Sequence, residues 1–458
     1  MVAPKERLNW FLTAGFGAQH FMVMFGATMI VPLLTGFPAT TTLFFTGVGT
    51  LVFLLVTRNR VPSYLGASFA FVAPLQAALG QSMPLSVRVG AVLAVGLLMV
   101  VIGIAVKALG ARLLESLMPP VVTGTVVILI GITLAPKAVQ NALSQSGLAA
   151  VTLLVTLFCA VVLRGMLART AVLIGLVVGW VVAGFNGDIN PVQMTFVDSQ
   201  PWIGLPVFNA PEFRPSLVLA ALPALVVLVA ENIGHLKVIA AGTNRDLDGS
   251  AGDTLIGNGL ATTLAGLGGG NGTTTYAENI GVMTATKVYS TAAYVVAAGL
   301  AIALSFSPKL GALLNTAPPG VIAGASLVLY GLIAMVGFRI WLDARIDLAN
   351  PVTFMVAGTA LIVGIANVSL KIGGLDLGPV ATGTLLVLVL HPLLNWLRGL
   401  THGYGRRPAH TRPRPRSTDA APGTTPAPGG LGTASREPGS GPGRPDGVAD
   451  STGSHGPV

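Results

Sequence analysis

The feature that most constrains this chain is a series of about fourteen mainly apolar segments, separated by short polar breaks. A helix needs about 20 mostly apolar residues to cross the hydrocarbon core of a membrane. The predicted spans are residues 11–34, 41–57, 64–79, 89–109, 121–134, 149–163, 171–185, 216–240, 253–267, 277–289, 292–306, 320–338, 352–368 and 379–397. We therefore predict an all-α integral membrane protein with about fourteen transmembrane segments.

The composition excludes a soluble protein. Hydrophobic residues make up 52% of the chain and charged residues 9%, whereas soluble domains carry about 25% charged residues. The net charge of +9 does not indicate nucleic-acid binding, because the densest basic run, residues 406–416, follows the last apolar segment. That position favours contact with an anionic membrane surface. The single cysteine, Cys159, excludes an internal disulfide and fits no metal motif.

The distribution of lysine and arginine predicts the orientation, because cytoplasmic loops carry an excess of these residues. With the N-terminus in the cytoplasm, few basic residues fall at the outer loops and helix ends. They are Arg88, Lys137, Arg214, Lys309 and Lys371. This excess of basic residues on the cytoplasmic side favours an even number of spans and both termini in the cytoplasm. It also favours a multi-pass protein of the inner (cytoplasmic) membrane. No cleavable signal peptide is expected, since the polar start is short and the apolar run after it is too long.

The chain divides into two halves with seven spans each. We predict a cytoplasmic N-terminus (residues 1–10), a first repeat (11–185), an extracytoplasmic loop (186–215) and a second repeat (216–400). An odd number of spans per half places the second half upside down relative to the first. Residues 404–458 are rich in Pro, Gly, Ser and Thr, so we predict a disordered cytoplasmic tail.

Two ionisable residues within the eighth span are the first candidates for chemistry. Glu231 and His235 follow the apolar run 217–229 and are four residues apart, so a helix presents them on one face. A charge in the middle of a membrane costs about 2.5–3.5 kcal/mol or more, which makes a functional role the default. The alternative is that the two side chains lie at a helix end and only pair with each other.

Two interrupted segments, one in each half, are the second candidates. Residues 268–281 are rich in glycine and threonine and predict extended backbone that enters a helix near Tyr276 or Ala277. Residues 62–71 open with proline and small residues and contain Phe69, whose ring can stack on a planar ligand. Paired interrupted segments favour a transporter binding site, where the broken backbone lines a cavity. For the second segment, the alternative is an ordinary loop outside the membrane.

Two further side chains have more than one candidate role. His20 is a polar residue within the first span, and it either packs against a backbone carbonyl or serves a proton-linked or structural role near the site. Phe71 is close to Phe69, and the sequence favours a plain core aromatic for it.

Taken together, these motifs resemble the bacterial uracil permeases of the nucleobase–cation symporter-2 family, also called the nucleobase–ascorbate transporter family. The resemblance runs from about Leu8 to Leu397, with the motifs in order, and leaves out the C-terminal tail. The matching stretches are Gln19-His20 with residues 24–28, residues 62–71, residues 230–235, and residues 274–287 (TTYAENIGVMTATK). The set is highly specific, whereas only residues 278–287 are specific alone.

The resemblance implies two inverted repeats of seven spans, with a core domain from spans one to four and eight to eleven and a gate domain from the others. It also implies short paired strands in the broken spans three and ten. Positions that bind substrate in the family fall on Ala27, Phe69, Glu231, His235, Tyr276, Ala277 and Glu278. Glu231, His235 and His20 are the candidates for proton coupling. The proton is the coupling ion, no other cofactor or metal is expected, and relatives suggest a homodimer through the gate domains.

Two departures from the family pattern affect the expected site. Asn232 stands where some relatives have histidine, and Ala277 replaces a glycine, which keeps the backbone N–H but adds a methyl group. Glu278 is the acidic form typical of uracil-type members, where the purine branch usually has glutamine. The resemblance therefore predicts proton-coupled uptake of uracil or a related pyrimidine by alternating access.

Four other functions stay open at this point. A xanthine or urate transporter of the same family is the first alternative. An anion exchanger or channel of the same architecture would require a cation facing the site and no carboxylate pair. A membrane receptor that signals through its tail is a third, and an enzyme is least favoured because no nucleophile–base or metal spacing appears.

Overall fold

The computed structural model describes residues 1–110, 118–372 and 375–402, and the described part of the first half is mainly helical. Its elements are α1 (Trp10–Thr35), α2 (Ala39–Val56), β1 (Leu65–Ala67), a 3-10 turn (Phe69–Phe71), α3 (Val72–Gly80), α4 (Leu85–Leu109), α5 (Pro120–Ser144), α6 (Ser146–Val162), α7 (Met166–Arg169) and α8 (Ala171–Asn186). The sequence caps α1 at both ends. The Asn9 side chain accepts the Leu12 N–H at 2.8 Å, and Gly36 adopts a positive φ of 67° directly after the helix.

The second half repeats this pattern of helices interrupted by short strands. Its elements are α9 (Pro191–Ser199), α10 (Pro215–Thr243), a 3-10 turn (Asp248–Ser250), α11 (Ala251–Gly268), β2 (Thr273–Thr275), α12 (Ala277–Thr286), α13 (Thr291–Ser305), α14 (Pro308–Leu314), α15 (Pro319–Asp343), α16 (Pro351–Ile365), β3 (Leu370–Ile372), β4 (Leu375–Leu377) and α17 (Pro379–His402). Several helices begin with a proline, which lacks the N–H that a first helical residue leaves unpaired.

Seven helices in the described residues are long and apolar enough to cross a membrane, or up to nine spans if each bent pair counts as one. The bent pairs are α8 with α9, at 113°, and α13 with α14, at 88°. Each predicted span nevertheless coincides with a helix, or with a strand and the helix after it. The other segments are not helices that are both long and apolar enough to cross a membrane. Helices α6 and α16 are short, α11 is rich in glycine and threonine, and the third and tenth segments contain strands. The predicted fold class, a mainly helical membrane protein with strands in segments three and ten, is confirmed.

The helices pack in two groups. In the core group (residues 10–109 and 215–305), α11 packs on α2 and α4, α13 on α1 and α2, and α10 on α4. In the gate group (residues 120–186 and 319–402), α15 packs on α5 and α6, α6 on α8, and α17 on α16 and α5. Each of the fourteen segments has a counterpart in the other half, seven positions along the chain. When both members of a packed pair are exchanged for their counterparts, the contact between α4 and α10 becomes that between α13 and α1. In the same way, the contact between α6 and α8 becomes that between α16 and α17. This relation is what two inverted repeats of seven segments require.

A two-stranded antiparallel sheet joins the two halves inside the core group. The register pairs Leu65 with Thr275, Gly66 with Thr274 and Ala67 with Thr273. Each strand has only three residues, and all six are buried. Because open strand edges are not tolerated in hydrocarbon, the surrounding helices must supply the missing hydrogen-bond partners.

Two features between the spans were not predicted. Strands β3 and β4 form a second antiparallel hairpin, pairing Leu370 with Leu377, where the sequence indicated only a loop. Three-residue strands are too short to produce an alternating pattern that can be recognised. The predicted loop 186–215 contains α9, and its extended part lies on the core group, where Asn209 N–H donates to the Gly268 carbonyl at 3.2 Å.

The residue limits of the N-terminal segment, the two repeats and the loop 186–215 stay predictions. The predicted disordered tail, residues 404–458, lies outside the described residues. Cys159 is buried in α6 and forms no disulfide.

Candidate functional site

The site is built where the paired strands β1 and β2 turn into helices. Strand β2 is followed at once by α12, whose first residue is Ala277, and β1 is followed by the 3-10 turn that starts at Phe69. The N–H groups in the first turn of a helix have no partners within that helix. Each broken segment therefore presents polar backbone groups, and a partly positive helix end, in the interior of the core group.

Glu231 and His235 both face strand β2 from α10. The Thr274 hydroxyl donates to Glu231 Oε2 at 2.9 Å, and His235 Nδ1 shares a hydrogen bond of 2.7 Å with the Thr275 hydroxyl. Among the described residues, no hydrogen bond joins Glu231 to His235. The two side chains share one helix face, as their spacing predicts, but each binds the strand instead of its neighbour. The alternative that the two side chains only pair with each other therefore does not apply.

Glu278 brings a second carboxylate to the same region. It lies in the first turn of α12, where the helix end favours a negative charge. Glu231 accepts from Thr274 of β2, the strand that leads directly into α12, so the two acids, from separate helices, both lie at the break of the tenth segment. Both side chains are partly exposed, and Ala277 beside Glu278 is exposed. The break of the tenth segment therefore carries two acids that are not fully buried.

Tyr276 connects the two halves of the site. Its hydroxyl donates to the Ala67 carbonyl at 2.7 Å and accepts from the Thr28 hydroxyl at 3.2 Å. Its ring covers Gly66, where a Cβ atom would lie 2.2 Å from the ring carbon Cζ. Because Tyr276 is only 4% exposed, its ring is occupied with the sheet.

The aromatic residues of the first half divide as the sequence indicates. Phe69 is only partly buried at the start of its turn, so its ring has a free surface. Phe71 is fully buried and packs on Gly272, where a Cβ atom would meet its ring at 2.1 Å. Phe71 is thus a core aromatic, whereas Phe69 is only partly buried, and its contact with a ligand stays a prediction.

His20 and Ala27 lie on α1 behind the site. His20 is fully buried and stacks on Tyr294, with ring centroids 4.4 Å apart. The Asn279 side chain bonds His20 twice, at Nδ1 (3.1 Å) and at its carbonyl oxygen (3.0 Å). Ala27 is 3% exposed and precedes Thr28, the partner of Tyr276. His20 is therefore fully buried and contacts Asn279, the residue next to Glu278.

Exposed positions extend from the site along two helices. On α10 the uncovered positions run from Gly234 through Lys237 to Ala241, and on α12 from Ala277 to Ala285. A Cβ atom at Gly234 would meet nothing within 4 Å. Exposed positions therefore continue from the site toward the C-terminal ends of these helices.

Sequence reasoning did not identify the threonines that hold the strands in place. The Leu65 N–H, on the free edge of β1, donates to the Thr50 hydroxyl of α2 at 2.9 Å. The Thr273 N–H, on the free edge of β2, donates to the Thr262 hydroxyl of α11 at 3.1 Å. Segments two and nine are equivalent in the inverted repeats, so the same device closes both edges. No sequence signal marks these hydroxyls, since buried threonines are common in the core group.

The described residues hold no group of three or more His, Cys, Asp or Glu side chains arranged to bind a metal. What the site can do chemically is accept hydrogen bonds through two carboxylates, donate them through backbone N–H groups and exchange a proton.

Sequence comparisons agree with this architecture. Residues 12–372 match the sequence model of the Permease family. The RutG pyrimidine permease of Escherichia coli strain K12 is 44% identical over 407 residues, which cover 86% of this chain and 92% of that protein. The uracil permease of Bacillus caldolyticus is 38% identical over 395 residues, covering 81% of this chain and 90% of that protein.

Solved structures share the fold at low identity. The transmembrane domain of the cyanobacterial bicarbonate transporter BicA superposes with a TM-score of 0.55, is 16% identical, and the match covers 79% of this chain and 97% of that domain. The murine anion transporter Slc26a9, in its inward-facing state, gives a TM-score of 0.64 at 12% identity over 86% of this chain and 69% of that one. These likenesses concern the fold alone. The match over residues 12–372, together with the two permeases, places the chain in the Permease family, as a member of the nucleobase–cation symporter-2 group that its motifs predict.

Proposed function

We propose that this protein is a secondary active transporter that takes up uracil, or a related pyrimidine nucleobase, together with a proton. The observation that carries the proposal is the pair of partly exposed acids, Glu231 and Glu278, at the break of the tenth segment. The names of the relatives, a pyrimidine permease and a uracil permease, favour a pyrimidine over a purine. No catalytic role is assigned to any residue.

The recognition chemistry follows from the shape of the base. Uracil is planar, with two N–H donors and two carbonyl acceptors. Glu231 and Glu278 accept from the N–H groups, and backbone N–H groups at Phe69 and Ala277 donate to the carbonyls. The Phe69 ring covers one face of the base. A site with such fixed polar partners rejects molecules that leave them unpaired.

Proton coupling follows from the repulsion between the two carboxylates. Two negative charges at short range in a medium of low dielectric constant repel strongly, so one proton on either acid favours binding of the base. We assign the proton-linked role to Glu231 with His235, and the main substrate contact to Glu278. His20 acts through Asn279, which holds the first turn of α12.

Movement of the core group against the gate group would carry the site from one side of the membrane to the other. The uncovered faces of α10 and α12 lead to their C-terminal ends, which the positive-inside rule places in the cytoplasm. The arrangement is therefore assigned to the inward-facing state. The inner membrane location, the cytoplasmic termini and a homodimer through the gate domains belong to the same proposal.

The fold is shared with anion transporters, but the site differs from what an anion requires. A site for an anion needs a cation facing the ligand, whereas here two acids lie at the break of the tenth segment. At 12–16% identity the structural likeness does not extend to the substrate.

Uptake of radiolabelled uracil by a permease-deficient bacterial host that expresses the full chain tests the proposal. We expect uptake above the empty-vector level, strong reduction by a protonophore, and competition by unlabelled uracil but not by xanthine, ascorbate or bicarbonate. Xanthine competing better than uracil would move the assignment to a purine. Uptake that ignores the protonophore would remove the proton from the mechanism.

A further inference from the structure

A cavity of about 560 Å³ lies between the two helix groups and does not include the candidate site. From the core group it is lined by α3 and the N-terminal end of α10, and from the gate group by α5, the end of α16 and the start of α17. None of the eight candidate site residues lines it. The positive-inside orientation places these helix ends at the outer surface. We call this cavity the outer vestibule.

Two cations face the outer vestibule without an acidic partner. Lys137 of α5 and Arg214, just before α10, are both exposed and form no ion pair among the described residues. The described residues that line the vestibule include no aspartate or glutamate. A cleft with charge of one sign attracts ligands of the opposite sign. The vestibule is therefore suited to an anion, in contrast to the acidic site.

The walls of the vestibule add groups that recognise amides and carbonyls. Gln76 and Gln81 line it from the third segment, and Gln140 lines it from α5. A carboxamide both donates and accepts hydrogen bonds. Lys137 and Gln140 are three residues apart on α5, so both lie on one helix face. The volume falls in the usual range for small-molecule sites, about 300–1,000 Å³.

We propose that the outer vestibule is a second binding site, for small cyclic anions that carry carbonyl and N–H groups, with pyrimidine carboxylates as the class. Lys137 and Arg214 bind the carboxylate, and the glutamines bind the ring. Because both helix groups line the vestibule, their relative movement changes its shape. A ligand that fits one arrangement stabilises that arrangement and slows transport. The proposal is independent of which molecule the acidic site carries.

Orotate, a uracil ring with a carboxylate, is the probe. Binding of labelled orotate and of labelled uracil is measured on the purified full-length protein. We expect the double variant Lys137→Gln, Arg214→Gln to bind orotate at least about tenfold more weakly, because it loses two charge-assisted contacts. Uracil binding should stay unchanged. The matched control is Lys309→Gln, which removes a cation outside the vestibule and should leave both affinities unchanged.

The variant Glu278→Gln separates this proposal from the proposed function. It should weaken uracil binding and leave orotate binding intact. If the wild-type protein does not bind uracil, the proposed function fails, while loss of orotate in the double variant still supports the vestibule. Orotate binding that survives in the double variant, or that disappears in Glu278→Gln, overturns the vestibule. If the double variant loses both ligands, Lys137→Arg with Arg214→Lys must retain orotate binding, and its failure to do so also overturns the proposal.

Discussion

The two broken segments have the same backbone and different chemistry. At one end of the sheet the Ser68 N–H donates to the Gly272 carbonyl at 2.8 Å, and at the other end the Tyr276 N–H donates to the Tyr64 carbonyl at 3.1 Å. Each strand also has its free edge bonded by a threonine hydroxyl from the second segment of its own half. The scaffold of the first half is thus repeated in the second.

The side chains that follow the strands break this symmetry. Aligning Ser68 with Tyr276 places Phe69 opposite Ala277 and Ala70 opposite Glu278. The first half therefore contributes a ring and a buried methyl group where the second contributes an open helix start and a carboxylate. Backbone hydrogen bonding therefore preserves the fold in both halves, while the polar groups that can recognise a ligand are concentrated in the second half.

Removing the acid is the strongest way to break the asymmetry. Glu278 is charged, whereas its counterpart in the first half, Ala70, is not, and Glu278→Gln removes this difference. A hydrogen bond to a charged group contributes about 1.5–3 kcal/mol. We expect uracil to bind about 10- to 100-fold more weakly, measured on the purified protein. Asp343→Asn, an exposed acid on α15, is the control and should bind normally. Normal binding by Glu278→Gln would exclude Glu278 as the main contact.

Two glycines allow the rings of the two halves to be compared directly. Gly66→Ala pushes on the Tyr276 ring and Gly272→Ala on the Phe71 ring, since each new Cβ atom would lie within about 2.2 Å of a ring atom. Such overpacking costs about 1–3 kcal/mol, so both variants should unfold at a lower temperature. Only Gly66→Ala should also weaken uracil binding, because Tyr276 adjoins Ala277 and Glu278. Gly299→Ala, where a Cβ atom has free space, is the control. Equal binding losses in the two variants would contradict the asymmetry.

Substitutions of Thr50 and Thr262 test the hydrogen bonds to the free strand edges, which the two halves share. Thr50→Val and Thr262→Val each remove the partner of a buried strand N–H, and an unsatisfied buried donor costs about 1–3 kcal/mol. Both variants should show a similar fall in melting temperature and in uracil affinity, and Thr→Ser at either position should restore both. Thr125→Val is the control, because that hydroxyl bonds only a carbonyl of its own helix, at Val121. A loss confined to one of the two positions would mean that the edges are not equivalent.

The smallest effect concerns the two tyrosines beside the sheet. Tyr276→Phe removes the bond to the Ala67 carbonyl and the bond from the Thr28 hydroxyl, and a neutral hydrogen bond contributes about 0.5–1.5 kcal/mol. We expect a loss of uracil affinity of a few-fold. Tyr64→Phe, which removes a 3.3 Å contact with Thr46 in the first half, should leave the affinity unchanged. An equal loss in Tyr64→Phe would show that the effect arises from the sheet as a whole.

Much of the site was predictable because its residues leave local signals. Glu231 and His235 stand out as ionisable residues in an apolar helix, and their spacing alone places them on one face. The change from glycine and threonine to a helical run near Tyr276 marks the break of the tenth segment. The partners of these residues were not predictable, because Thr274, Thr275 and Asn279 reach them from other segments.

The membrane location of this chain, the order of its spans and the two broken segments could be predicted from the amino-acid sequence alone, because apolar length and helix-breaking residues act locally. The tertiary structure was needed to show that the Thr50 and Thr262 hydroxyls bond the free strand edges, that Tyr276 covers Gly66, and that Glu231 bonds Thr274 beside the helix of Glu278. Those contacts depend on strand register and helix packing between residues far apart in the chain. A linear pattern contains no information about which of many buried threonines faces which strand edge.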